Sequence, residues 1–158
     1  MALTRGGWRG RVRRVTVAVE VLDEVTDEVV GAFGRLMPQL SRSAKPLDPA
    51  ALAALASSPA VTVLLARADG QIVGSLTLAM FRTPAGLRGW IEDVVVDESA
   101  RGRGTGGALL DEALRLARAA GARTVDLTTR PSREAAGRLY ERHGFVQRDT
   151  RVYRYSLE

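Results

Sequence analysis

Cysteine is absent from this 158-residue chain. That removes disulfides, thiolate metal sites and a thiol nucleophile from consideration. Histidine occurs once, at His143, too sparsely for a metal centre built on imidazoles, so no metal is expected. No apolar run reaches the roughly 20 residues of a membrane span. The twin Arg13-Arg14 is followed only by Val15 to Val19 before Glu20, too short and too soon acidic for an export signal. These absences lead to the expectation of a cytoplasmic protein with no membrane partner. Lysine is almost missing as well: of 23 basic residues only Lys45 is not arginine, and the formal net charge is +5. A positive surface favours anionic partners, either a cofactor or a nucleic acid, through its long-range field.

What is present suits one domain with a substantial core. Residues 1–14 carry Arg5, Arg9, Arg11, Arg13 and Arg14 with neither helical nor strand period, and they read as a flexible basic arm. Nucleic-acid binding is the function of another class that such an arm would serve. Residues 15–158 read as the single folded domain. Val15 to Val21 alternates as a half-buried strand. Leu22 to Met37 has helical period through Val25, Val29, Phe33, Leu36 and Met37, with Pro38 marking its end. Asp48-Pro49 is an N-cap followed by proline at the first helical position, opening a short helix to about Ala56.

Val61 to Arg67 is the next strand, and the Asp69-Gly70 turn returns it as Gln71 to Arg82. The turn Pro84-Ala85-Gly86 leads into the strand Leu87 to Val96. A helix over Thr105 to Ala120, stopped by Gly121, crosses over to the strand Arg123 to Thr129, which must then run parallel to its predecessor. A last helix begins at Pro131 or Ser132 and runs to about Arg142, with His143-Gly144 as its C-terminal cap. Phe145 to Leu157 is expected to close the sheet as a strand. The predicted fold class is α/β: a mixed, mostly antiparallel sheet with one parallel pair and helices on both faces.

The stretch from Val94 to Gly107 organises the chain. Val94, Val95 and Val96 are continuous and β-branched, as in a strand covered on both faces. Arg101, Gly102, Arg103, Gly104, Thr105, Gly106 and Gly107 then bring cationic side chains, or almost none, to the start of a helix. Unpaired N–H donors and the positive end of the helix dipole meet there, which makes an anion site suited to a pyrophosphate. Gly102-x-Gly104-x-x-Gly107 also fits the dinucleotide fingerprint, with Asp126 downstream. Against that parse, Asp97 to Arg101 separates the strand from the turn, and Asp126 lies inside a strand. No Gly-Lys-Ser/Thr triplet exists, so a P-loop is excluded.

Read instead as Arg101-x-x-Gly104-x-Gly106 after a valine-rich strand, the stretch resembles the signature of the GNAT superfamily of acetyl-CoA-dependent N-acetyltransferases. Arg138-Leu139-Tyr140-Glu141-Arg142-His143-Gly144-Phe145 is similar to that superfamily's L-Y-x-x-x-G-F helix end. With the element order, the resemblance covers roughly residues 15–157 and implies a GNAT-like fold with a splayed parallel strand pair. It implies acetyl-CoA as cosubstrate, with Val94, Val95 and Val96 pairing with its pantetheine arm as an added strand. The amides of Gly102 to Gly107 would then hold its pyrophosphate. It also implies a primary amine as acceptor, taken from a small molecule or from a protein or peptide. Family members often form homodimers, so a homodimer is a further expectation.

By the same resemblance Tyr140 is the acid. A phenol, with pKa about 10, keeps its proton at neutral pH and can offer it to a leaving thiolate whose conjugate acid titrates near about 8.5. The base is Glu92 or Asp93, directly or through water. As neighbours on a regular strand the two face opposite sides, unless a bulge intervenes. Gly89 to Val96 resembles the acidic strand of glucosamine-6-phosphate N-acetyltransferases, which leans the acceptor towards an amino sugar. Many family members carry a cofactor-contacting asparagine seven residues before the tyrosine. Here that position is Arg133, able to reach a cofactor phosphate or carbonyl. His143 stands where a cation favours a helix C-terminus, so capping is weighed above catalysis.

Overall fold

The computed structural model describes residues 16–43, 45 and 47–157; the expected basic arm over residues 1–14 lies outside them. Among the described residues five strands lie side by side in chain order: β1 (Ala18–Val21), β2 (Val61–Ala68), β3 (Gln71–Thr83), β4 (Gly86–Val96) and β5 (Thr124–Leu127). The first four pair antiparallel, and β4 pairs with β5 in parallel. The helices are α1 (Asp27–Leu40), α2 (Pro49–Ala56), α3 (Thr105–Ala119) and α4 (Glu134–Arg142). No helix among the described residues is long and apolar enough to cross a membrane.

Local chemistry accounts for most of these boundaries. Asp69 and Gly70 take left-handed φ values of 50° and 79°, as the tight turn between β2 and β3 requires. Asp48 Oδ1 accepts from Ala51 N–H at 2.7 Å and caps α2. The sheet is buried on both sides. On one face α1 and α2 cover Val63, Leu65, Ile72 and Val95. On the other, α3 sets Leu109, Leu110, Ala113 and Ala117 against Leu64, Leu76, Leu78 and Ile91. Apolar side chains thus leave both faces of the sheet, and in β2 the four residues Val63 to Ala66 are apolar and buried in succession.

Three expectations need correction. The first helix begins later than its apolar period suggests. Leu22 is buried but extended, its N–H bonded to Val63 carbonyl at 2.8 Å, and Thr26 caps a first turn carrying Asp27 and Glu28. Pro38 does not end that helix but sits inside its last turn. The ring removes a single donor there, and Ser41 N–H still closes onto Met37 carbonyl at 3.1 Å.

Phe145 to Leu157 is not a closing strand; among the described residues no strand follows α4. Only Phe145 joins the core, edge-on to Tyr140 with ring centroids 6.0 Å apart, while Val152, Tyr153, Tyr155 and Leu157 stand exposed. Alternation suits a residue run to a pleated surface but does not supply a partner, and β5 is only four residues long.

Candidate active site

Pairing between β4 and β5 stops at Ile91 opposite Leu127, whereas β4 runs on to Val96. Beyond that point the two strands part. The backbone of Val94, Val95 and Val96 faces β3 on one side, through Ser75 opposite Val95 and Gly74 opposite Val96, and an open cleft on the other. This cleft has a volume of about 1330 Å³. Its walls are the end of α1, the second half of β4, the loop into α3, the turn after β5, and α4.

The register between β3 and β4 slips within the cleft. Ser75 pairs with Val95 and Thr77 with Glu92, so Asp93 and Val94 together oppose Leu76. This bulge re-aims the strand, and Asp93 adopts φ 51°, a left-handed conformation uncommon outside glycine, asparagine and aspartate. Glu92 and Asp93 therefore both line the cleft, although an unbroken pleat would send them to opposite faces. Their surroundings differ. Glu92 Oε1 accepts from the indole Nε1 of Trp90 at 2.7 Å. Asp93 has no such partner among the described residues, and partial burial, followed by the adjacent Glu92, raises its carboxyl above the ordinary aspartate range.

The loop into α3 is built around glycines at φ 72° (Gly102) and 82° (Gly104). Gly104 occupies the N-cap position without a side-chain cap. From Gly102 to Gly107 no backbone N–H donates to an acceptor among the described residues; the first helical bond is Ala108 N–H to Gly104 carbonyl at 3.0 Å. Six donors clustered at a helix start, five of them lining the cleft through Gly102, Gly104, Thr105, Gly106 and Gly107, form an anion cradle. Arg103 is exposed and not part of the cleft wall. Thr105 turns its hydroxyl inward to Ala100 carbonyl at 3.3 Å, leaving only its backbone for a ligand. Arg101 lies on the wall with Nε donating to Val96 carbonyl at 3.3 Å, where it competes with any strand-like ligand for that oxygen.

Gly106 and Gly107 have a second role that the sequence does not announce. A Cβ on Gly106 would lie 2.9 Å from Leu139 Cδ2, and one on Gly107 2.9 Å from His143 Nε2. Both glycines let α4 settle directly on the start of α3. His143 completes that contact: its Nδ1 lies 2.9 Å from Asp111 Oδ1 on α3. Its backbone closes α4, as expected of a cap, but its ring serves as an interhelix strut and lines no part of the cleft.

Tyr140 stands on α4, half-buried and facing the cleft. Burial raises its phenol above the usual tyrosine value, and the charge of Arg133 opposes that rise. Arg133 itself donates from Nη2 to Leu40 carbonyl at 3.0 Å. Gln39 anchors the same end of α1, accepting from Glu98 N–H at 3.0 Å and donating to Asp97 Oδ2 at 3.4 Å. No sequence signal pointed to Gln39 or Leu40, because tertiary packing alone brings α1 to this wall. Trp90, two residues before Glu92 on one strand, was open to detection from strand period.

The cleft can thus hold a polyanion on amides, extend the sheet with a strand-like arm, and set a carboxylate and a phenol around a reacting centre. The family model described as the acetyltransferase (GNAT) family matches residues 21–145. A mycothiol acetyltransferase of Beutenbergia cavernae is 39% identical over 78 residues, 49% of this chain and 25% of that protein, so the chain spans about a quarter of this curated relative. An acetyltransferase of Trypanosoma brucei is 31% identical in its solved structure, with TM-score 0.72, covering 90% of this chain and all of its own. The glucosamine-6-phosphate N-acetyltransferase of Arabidopsis thaliana has TM-score 0.74 over 89% of this chain and 98% of its own. At 19% identity that is a likeness of fold.

Proposed function

The chain belongs to the GNAT acetyltransferase family, and from that premise we propose that it transfers the acetyl group of acetyl-CoA to a primary amine of a small polar molecule, an amino sugar among the first to test. The observation that carries this reading is the row of unpartnered amides from Gly102 to Gly107 beside the parted edge of β4. A diphosphate fits the amides, with Arg101 beside it. The amide-bearing arm of the cofactor fits the free edge of Val94 to Val96 as one more strand. That arm displaces Arg101 Nε from Val96 carbonyl.

The acceptor enters as an ammonium and must first lose a proton. Asp93 is the better base: its carboxyl is raised and has no hydrogen-bonding partner among the described residues, whereas Glu92 is occupied by Trp90. The free amine attacks the thioester carbonyl carbon, forming a C–N bond. As the C–S bond breaks, Tyr140 gives its proton to the departing sulfur, and the second proton lost from the acylated nitrogen returns through solvent to the tyrosinate, leaving a neutral amide and a thiol. With no cysteine in the chain, direct attack avoids any thioester on the protein. A thiol-release screen with acetyl-CoA against amino sugars, polyamines, aminoglycosides, amino acids and peptides tests the reading. Release should require one of the small amines; release with peptides alone would move the acceptor to the protein class.

A further inference from the structure

A second cavity, of about 510 Å³, opens beside the cleft between the end of α1 and the turn after β5. Its lining runs from Pro38 to Ser43 and adds Arg130 and Arg133. Gln39, Leu40, Ser41, Arg130 and Arg133 line both cavities, so the two communicate. Three arginines, Arg42, Arg130 and Arg133, therefore line one concavity. None of them pairs with a carboxylate among the described residues. Glu134, adjacent to Arg133 in sequence, is drawn instead to Arg138, 3.5 Å away.

Like charges gathered in a hollow repel one another, and the missing counterion is the informative feature. Planar guanidinium forks match the oxygens of a phosphate or carboxylate, and charge-assisted bonds are the strong ones. Two features fix the walls. Arg133 is held by Leu40 carbonyl at 3.0 Å, and the end of α1 is tied through Gln39 to Glu98 N–H. The cleft thus has opposite charge at two stations: Glu92 and Asp93 on β4, and the arginines beyond Leu40.

We infer that the arginine cavity is an anion subsite of the acceptor, so that the preferred substrate is an amine carrying a phosphate group at its other end. This rests on the acetyl-transfer reading and narrows it. The ammonium is drawn to the carboxylates of β4 while the phosphate is held by Arg42 and Arg130, with Arg133 between the two stations. One molecule is thereby oriented for attack from a single end.

The probes are glucosamine 6-phosphate and glucosamine, which differ only in the phosphate, tested on wild type and on Arg42→Gln/Arg130→Gln. In wild type KM for the phosphorylated amine should be at least about tenfold lower, the effect of one charge-assisted hydrogen bond or more. The double variant should lose that preference while KM for glucosamine and for acetyl-CoA stays within about twofold. An unaltered preference in the variant overturns the subsite. So does a variant whose only defect is lost discrimination between acetyl-CoA and its 3′-dephospho form, because the anion would then belong to the cofactor. A direct measurement separates this inference from the reading it rests on. If neither amine is acetylated, glucosamine 6-phosphate should still raise the melting temperature of wild type and not of the variant. That result keeps the subsite and removes the reaction; no rise in either protein removes the subsite.

Discussion

Asp93 combines two costs at one position, a left-handed backbone and a carboxyl raised by burial and by Glu92. Such strain persists only where the surrounding structure over-determines it, and it clusters at functional sites. Because its folded pKa is raised, the group's contribution to stability is fully present below the unfolded aspartate pKa. It is lost as pH rises through the folded value. At neutral pH the ionised form is therefore a liability. Asp93→Asn keeps a residue tolerant of left-handed φ and deletes the charge. Thermal melts should show the variant more stable than wild type at pH 7, with the gap closing as pH falls towards the carboxyl's titration. Its kcat should fall roughly 10²- to 10⁴-fold, the scale of a lost general base. A variant that loses activity and stability together would make Asp93 structural. Tyr140→Phe should likewise lower kcat by roughly 10² or more, with KM for acetyl-CoA nearly unchanged. Since burial holds the Tyr140 phenol above the ordinary value, the alkaline fall of the wild-type rate should lie at higher pH than an exposed tyrosine would give.

At the scale of elements, the seating of α4 on α3 decides where Tyr140 stands. Gly107 makes that seating possible, because a methyl there meets His143 Nε2 at 2.9 Å and Cε1 at 3.1 Å. The ring cannot swing aside freely while Nδ1 is engaged by Asp111 at 2.9 Å. Gly107→Ala gains roughly 1 kcal/mol of helix propensity but overpacks the contact at about 1–3 kcal/mol. The expected outcome is lower stability and lower kcat, with Gly107→Ala/His143→Ala recovering stability. Double-mutant coupling measured by chemical denaturation checks this. Gly106→Ala should be milder, since its one tight contact is the end of the Leu139 side chain and Val96 Cγ2 lies at an ordinary 3.7 Å.

Legibility in the sequence follows the same division. The Asp69-Gly70 turn, the Asp48 cap and the loop from Gly102 to Gly107 were readable because each is a local agreement between residue type and backbone. The slip that brings Asp93 beside Glu92 depends on register against Ser75 and Thr77. The fate of residues 145–157 depends on a strand partner, and the arginine cavity on the end of α1 meeting the turn after β5. No short window of sequence holds any of these.

Over the whole molecule, net charge and cradle act in the same direction. A net charge of +5 favours an anionic ligand such as the proposed acetyl-CoA, and among the described residues the amides of Gly102 to Gly107 donate to no acceptor. Binding to the folded state alone must then raise its stability by mass action, by about 2.7 kcal/mol at a ligand concentration of 100 times Kd. For a domain of this size each kcal/mol moves Tm by roughly 2–4 °C, so saturating acetyl-CoA should lift Tm by about 5–10 °C. Attraction by net charge is screened by salt, whereas amide-to-phosphate bonds in a cleft are screened less. Raising ionic strength should therefore weaken the apparent affinity without abolishing the shift at saturation. Gly104→Ala forces a side chain onto φ 82° and disorganises the cradle, so its Tm rise at a fixed acetyl-CoA concentration should be smaller than that of wild type. Asp93→Asn, across the cleft from the diphosphate, should keep the full rise. A shift lost in Asp93→Asn and kept in Gly104→Ala would place the cofactor elsewhere in the cleft and withdraw the role given to these six amides.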